Sequence, residues 1–114
     1  MKVSQVNALR EQLEHTLELA RLMGSTVALR NTLIRAIDMC HDVRNTHKDQ
    51  GNSLGYQREV GNLLKHVVFV SSRARQDRLA VEAREHSPLE MAQAKAIEAL
   101  ADASLTTYHA TLRD

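Results

Sequence analysis

The sequence predicts an all-α protein, an antiparallel bundle of about four helices arranged as two helical hairpins. The 114 residues include only four glycines and one proline, which leaves few turns and favours long helices over many short strands. Apolar residues recur at alternating steps of three and four along most of the chain, as on one face of a helix. A Ser-Pro-Leu-Glu segment at 87–90 has the signature of a helix start. We therefore expect residues 1–114 to form a single helical domain.

The first two helices are predicted at residues 3–23 and 26–48. Their apolar stripes consist of Val6, Leu9, Leu13, Thr16, Leu17, Ala20 and Met23 in the first helix and Val27, Leu29, Leu33, Ala36, Ile37, Cys40 and Val43 in the second. Gly24 suits the position after a helix C-terminus, and Ser25 or Thr26 can cap the following helix. The alternative is one continuous helix with Gly24 inside it, at a cost of about 1 kcal/mol relative to Ala. We favour the tight hairpin.

A loop is predicted at residues 49–55, where two glycines stand among Asp, Asn and Ser. It is a plain connector or, alternatively, a segment that contacts a partner. The third helix is predicted at residues 57–86. Its apolar stripe consists of Tyr56, Val60, Leu63, Val67, Val70, Ala74 and Val81, and Asp77 interrupts it.

Between residues 63 and 70 the third helix is apolar around most of its circumference, which predicts burial on more than one face. Either a four-helix arrangement or a second copy of the chain supplies the extra layer. We expect self-association, in a homodimer or another homo-oligomer, with Leu63, Val67, Phe69 and Val70 as interface candidates. Residues 67–70 are also compatible with a short strand, but no second strand-like run exists to pair with it.

The fourth helix is predicted at residues 88–112. Ser87 can cap it, Pro88 suits its first position, and Glu90 completes a capping box. The helix is rich in alanine, and small side chains allow a close approach to another helix. The face predicted to be buried consists of Leu89, Ala92, Ala96, Leu100, Ala103 and Thr107, flanked by Ile97, Leu105, Tyr108 and Leu112.

The composition excludes several classes of protein. The formal net charge of +1 provides no global field that would attract nucleic acid or an anionic membrane. No apolar run approaches the roughly 20 residues that cross a bilayer, and the N-terminus lacks the pattern of a signal peptide. The single Cys40 cannot form an internal disulfide, which indicates a reducing compartment. We therefore expect a cytoplasmic protein without membrane contact.

No catalytic motif or cofactor motif is present, so we expect no enzyme, no cofactor and no metal. Cys40 and His41 are neighbours, which on a helix places them about 100° apart and makes a poor nucleophile–base pair. Asp38, His41 and Asp42 can share a helix face, but the chain has no zinc-binding motif. Solvated polar side chains beside a loop are the simpler interpretation of this group.

The third helix also has a basic half, in which Arg73, Arg75, Arg78 and Arg84 are candidates for binding a partner. Residues 51–86 carry a net charge of +2 and residues 87–114 a net charge of −2, so these helices either neutralise each other or bind elsewhere. We predict a small non-enzymatic protein–protein interaction module, a regulator, adaptor or inhibitor of a larger protein. The alternative is a regulatory protein that binds nucleic acid through the arginine face.

Overall fold

A computed structural model describes residues 2–47 and 54–111 of the chain. It consists of four helices: α1 (Val3–Leu22), α2 (Val27–His47), α3 (Leu54–Glu82) and α4 (Pro88–Thr111). No strand occurs among the described residues, and the all-α prediction is confirmed. The alternative of a short strand at residues 67–70 is wrong, because these residues lie within α3.

The four helices form a closed ring of contacts in which α1 packs against α2, α2 against α3, α3 against α4, and α4 against α1. Two long-range hydrogen bonds show the directions. At one end of the bundle Thr26, which precedes α2, donates its hydroxyl to Asp77 near the end of α3 at 2.7 Å. At the other end Tyr108 of α4 donates its hydroxyl to the carbonyl of Val60 at 2.7 Å. Neighbouring helices are therefore antiparallel, and the predicted antiparallel four-helix bundle is confirmed.

The core is made almost entirely of aliphatic side chains, as the composition requires. The predicted stripes of the first three helices supply most of it. Those buried positions are Val6, Leu9, Leu13, Leu17 and Ala20 of α1, Leu29, Leu33, Ala36, Ile37, Cys40 and Val43 of α2, and Tyr56, Val60, Leu63, Val67, Val70 and Ala74 of α3. Val27 was predicted to belong to the stripe of the second helix but is 61% exposed. It begins α2 at the end of the bundle, where no neighbouring helix covers it.

The turn between α1 and α2 forms the predicted hairpin. Gly24 adopts a φ of 70°, the left-handed conformation that favours glycine after a helix end. The N–H of Ser25 donates to the carbonyl of Ala20 at 3.1 Å, which closes the end of α1. Thr26 then caps α2 by accepting the N–H of Leu29 at 3.2 Å. The alternative of one continuous helix is therefore wrong.

The connection between α3 and α4 contains the predicted capping box. The N–H of Glu90 donates to the Ser87 hydroxyl at 3.1 Å, and the N–H of Ser87 donates to the Glu90 carboxylate at 3.2 Å. The ends of α3 differ from the prediction, since the helix begins at Leu54 and ends at Glu82 instead of spanning residues 57–86. Leu54 and Gly55, predicted as loop, are helical, and the rest of the predicted loop, 49–53, lies outside the described residues.

The buried face of α4 is not the predicted one. Leu89 is 65% exposed, and Ala92, Ala96 and Ala103 are exposed as well. The buried residues of α4 are Ile97, Ala101, Ser104 and Tyr108. Because alanine is similarly compatible with either face, the large Tyr108 side chain and its hydrogen bond to α3 determine the orientation of the helix.

Candidate functional site

The solvent-facing side of α3 combines exposed apolar side chains with unpaired positive charges. We call it the outer face. It consists of Arg58, Lys65, Val68, Phe69, Ser72, Arg73, Gln76 and Leu79, all of which are exposed. The opposite side of the same helix is buried against α2 and α4, so α3 has one face in the core and one free face.

Three of the four residues proposed for an oligomer interface lie in the core of the chain itself. Leu63, Val67 and Val70 are each 0% exposed, so a second copy cannot contact them in this fold. Only Phe69 reaches the surface, where it is 55% exposed. Most apolar side chains between residues 63 and 70 are therefore buried within the bundle. Val68 and Phe69 are the exposed ones that a partner could contact.

The arginines of α3 divide into those that bind α4 and those that do not. Arg78 donates Nε to the carboxylate of Glu98, and Arg75 lies 3.8 Å from the same group. Arg84, just after α3, forms a salt bridge with Glu90 at 2.9 Å. These ion pairs join residues 51–86, which carry a net charge of +2, to residues 87–114, which carry a net charge of −2. The charges of the two segments therefore neutralise each other across α3 and α4. The predicted arginine face is therefore not a continuous free surface.

Arg73 is the exception among the four predicted arginines. It is exposed and has no salt bridge among the described residues, and the same holds for Lys65 and Arg58 on the outer face. No Asp or Glu is among the exposed residues of α3 before Glu82. The outer face is therefore positively charged along its length and contains no negative side chain to neutralise it.

The apolar part of this surface follows the helix axis. Val68 and Leu79 are 41% and 48% exposed, and Phe69 lies beside Val68. A spacing of eleven residues is just over three helical turns, so Val68 and Leu79 lie nearly in line, about 16 Å apart along the axis. Phe69 is turned about 100° from Val68 around the axis, so the three side chains form a wide strip that the bundle leaves uncovered.

An open groove of about 410 Å³ runs between α2 and the outer face. Its lining consists of Thr32 and Arg35 of α2 and His66, Phe69, Ser72, Arg73 and Gln76 of α3. The ring of Phe69 meets the ring of His66 edge to face, with centroids 6.2 Å apart. We call this concavity the α2–α3 groove. It is lined by hydrogen-bond donors and by the rings of His66 and Phe69, and it has no carboxylate in its wall.

A second, smaller cleft of about 210 Å³ lies at the end of the bundle that contains the α1–α2 turn. Its apolar wall includes Leu29, Val81 and Ile97. The salt bridge between Arg84 and Glu90 lies at its edge. Through this salt bridge, Arg84 links the segment after α3 to the first turn of α4.

The residues with possible catalytic or metal chemistry do not form a site in the described chain. Cys40 is fully buried, and burial raises the pKa of its thiol to about 12, which leaves it protonated. His41 faces Glu14 of α1 at 3.7 Å rather than an acid of its own helix. Within residues 2–47 and 54–111, no three His, Cys, Asp or Glu side chains converge as metal ligands.

Sequence reasoning overlooked Arg35, Arg58, Lys65, Val68 and Leu79 as parts of a surface. A signal for this surface was available, since no acidic residue occurs in the chain between Glu59 and Asp77. The unpredictable part was which arginines of α3 pair with α4. That pairing depends on the tertiary contact between the two helices.

Comparison of the chain with protein-family models, with curated proteins and with solved structures found no significant match. Among the described residues, none of the helices combines the length and the apolar character that crossing a bilayer requires.

Proposed function

We propose that this protein is a non-enzymatic protein–protein interaction module that binds an acidic, amphipathic segment of a larger protein along the outer face of α3. One observation carries the proposal: an uncovered apolar strip, Val68, Phe69 and Leu79, is flanked by unpaired cations, and no exposed carboxylate occurs on α3 before Glu82. A protein of this kind acts as a regulator, adaptor or inhibitor, because it contributes a binding surface and no chemistry of its own.

The apolar strip supports a helical or extended peptide as the ligand. Its length of about 16 Å corresponds to three turns of a partner helix. Apolar anchors in such helices recur every three or four residues and bind to a matching strip on the receptor. Phe69 is the natural centre of the contact, because aromatic residues are enriched at the energetic centres of interfaces.

The charge pattern supports an acidic partner. Lys65 and Arg73 lie on either side of Phe69 along α3, and Arg58 continues the row towards the start of the helix. Carboxylates on the partner would pair with these cations and would raise the rate of association. The weak salt bridge of Arg75 to Glu98, at 3.8 Å, leaves that side chain available to join them.

The same pattern disfavours a second copy of the chain as the occupant. In a symmetric dimer each outer face would meet its own counterpart, which would place Lys65 and Arg73 against like charges. Nucleic acid is also less favoured, because Arg78 and Arg84 are engaged by Glu98 and Glu90 and little aromatic surface exists for stacking.

The experiment is affinity capture from native lysate with the wild-type chain and with the double variant Lys65→Glu/Arg73→Glu, each with and without nuclease. Lys95→Glu is the matched control, since Lys95 is an exposed cation on α4 and not a residue of the outer face. All three proteins are first compared by circular dichroism and thermal unfolding, because exposed, unpaired positions should tolerate these changes within about 0.5 kcal/mol.

We expect one protein to bind wild type and Lys95→Glu, to resist nuclease and to be lost with the double variant. Retention of the same protein by the double variant would refute a role for the outer face. Loss of every partner after nuclease treatment would replace the proposal with nucleic-acid binding.

A further inference from the structure

We propose that the α2–α3 groove binds a phosphorylated side chain of the partner protein, with Arg35 and Arg73 as the principal ligands of the phosphoryl group. The inference rests on the proposed function and specifies its chemistry. It arises because two guanidinium groups from different helices line one groove together with Thr32, Ser72 and His66, and the lining contains no carboxylate.

Both arginines are free to bind an anion. Arg35 and Arg73 are exposed, and neither has a salt bridge among the described residues. Asp77, four residues after Arg73, accepts a hydrogen bond from the hydroxyl of Thr26 at 2.7 Å, and no salt bridge joins it to Arg73. Arg75 and Arg78, by contrast, pair with Glu98 of α4.

The donor set matches a phosphate better than a carboxylate. A phosphate monoester carries a charge of about −1.5 to −2 at neutral pH and has three strong acceptor oxygens. Two guanidinium groups supply the charge and paired N–H donors, and the hydroxyl of Ser72 supplies a further donor. The hydroxyl of Thr32 donates to the carbonyl of Ala28 at 2.8 Å and only lines the groove. A single carboxylate would leave part of this set unused.

The groove also has space and an apolar surface for the side chain that carries the phosphate. Its volume of about 410 Å³ exceeds that of one phosphorylated residue. The half-exposed ring of Phe69 lies in the wall next to His66, so an aromatic or aliphatic stem would lie against it while the phosphoryl group reaches the arginines.

The test is a titration of the ¹⁵N-labelled full chain with phenyl phosphate, inorganic phosphate and benzoate at constant ionic strength, followed by amide chemical shifts. Constant ionic strength is needed because exposed cations attract any anion in dilute salt. We expect saturable shifts at Arg35, Phe69, Ser72 and Arg73 with both phosphates, tighter binding of phenyl phosphate, and no saturation with benzoate.

The variant Arg35→Gln/Arg73→Gln should bind phenyl phosphate about tenfold more weakly or worse, because charge-assisted hydrogen bonds are lost. The control Lys95→Gln removes an exposed cation of α4 outside the groove and should bind as wild type does. Equal affinities for benzoate and phenyl phosphate, or equal losses in both variants, would refute a phosphate site.

The failure of this inference can be distinguished from the failure of the proposed function. If a partner is still captured after the lysate is treated with phosphatase, and its capture still requires Lys65 and Arg73, the proposed interaction module stands. The same result would refute the proposal that the ligand is phosphorylated.

Discussion

Replacement by alanine should destabilise the protein more on the buried face of α3 than on its exposed face. The clearest comparison is between Val67→Ala and Phe69→Ala. Both residues belong to the same apolar run, yet Val67 is 0% exposed and Phe69 is 55% exposed. Val67→Ala removes two methyl groups worth about 0.8 kcal/mol each and leaves a cavity in the core. Allowing for the better helix propensity of Ala, we expect a loss of about 2 kcal/mol.

Phe69→Ala should cost less although it removes a larger side chain. Less than half of the Phe69 surface is covered, so about 1 kcal/mol of burial is lost, and the helix propensity of Ala offsets part of it. For a chain of 114 residues 1 kcal/mol corresponds to about 4 °C in Tm. We therefore expect Val67→Ala to lower the Tm by roughly 8 °C and Phe69→Ala by a few degrees.

The assay is thermal unfolding followed by circular dichroism at two protein concentrations, together with light scattering for mass. We expect no dependence of the Tm of the wild-type chain on concentration, because its core is complete within one chain. An equal loss of stability in both variants, or a Tm that rises with concentration, would show that Phe69 is buried in an oligomer. The intramolecular account of α3 would then be wrong.

Three further predictions concern α4, its cap and the buried thiol. Ala101→Leu should destabilise the protein by about 1–3 kcal/mol through overpacking, while Ala103→Leu should change the stability little. Denaturant titration compares the two variants, and a larger loss of stability for Ala103→Leu would mean that α4 is rotated. Hydrogen bonds from the Ser87 backbone and from the Arg84 side chain lower the pKa of Glu90, so its stabilising effect should be present at neutral pH and lost as pH falls through that lowered pKa. The Tm difference between wild type and Glu90→Gln should accordingly shrink on acidification, and a constant difference would contradict the capping role. Cys40 should resist a thiol reagent in the native protein at about pH 8 and react in denaturant, whereas rapid native labelling would contradict its burial.

The sequence was most informative where local chemistry determines the backbone. Gly24 takes the left-handed conformation that ends α1, and Ser87 with Glu90 forms the capping box that begins α4. The apolar stripes of α1 and α2 were equally predictable, because large aliphatic residues lie on one side and charged residues on the other.

The orientation of α4 was not predictable from periodicity. Its alanines offer little difference in buried area between faces, so on this criterion Ala103 is as suitable for the core as Ala101. Tyr108, whose hydroxyl donates to the carbonyl of Val60 in α3, selects the face, and such a contact depends on tertiary packing.

The candidate surface was predictable only in part. The apolar run and the arginines of α3 indicated a candidate binding surface, but the run contained both core residues and surface residues. Leu63 and Val70 proved to be buried, and Arg78 pairs with Glu98. Of the residues predicted from the sequence, Phe69 and Arg73 belong to the outer face. The other residues of this face were identified from the structure of the bundle.

The central claim is that the outer face of α3 contacts an acidic segment of another protein. Replacement of Phe69 by the photoreactive amino acid p-benzoylphenylalanine tests it directly, with the same replacement at the exposed Ala96 of α4 as the control. After irradiation in native lysate, we expect one discrete adduct from position 69, with the cross-link mapped to an acidic segment of a different protein. An adduct of two copies of this chain, or identical adducts from both positions, would contradict the claim.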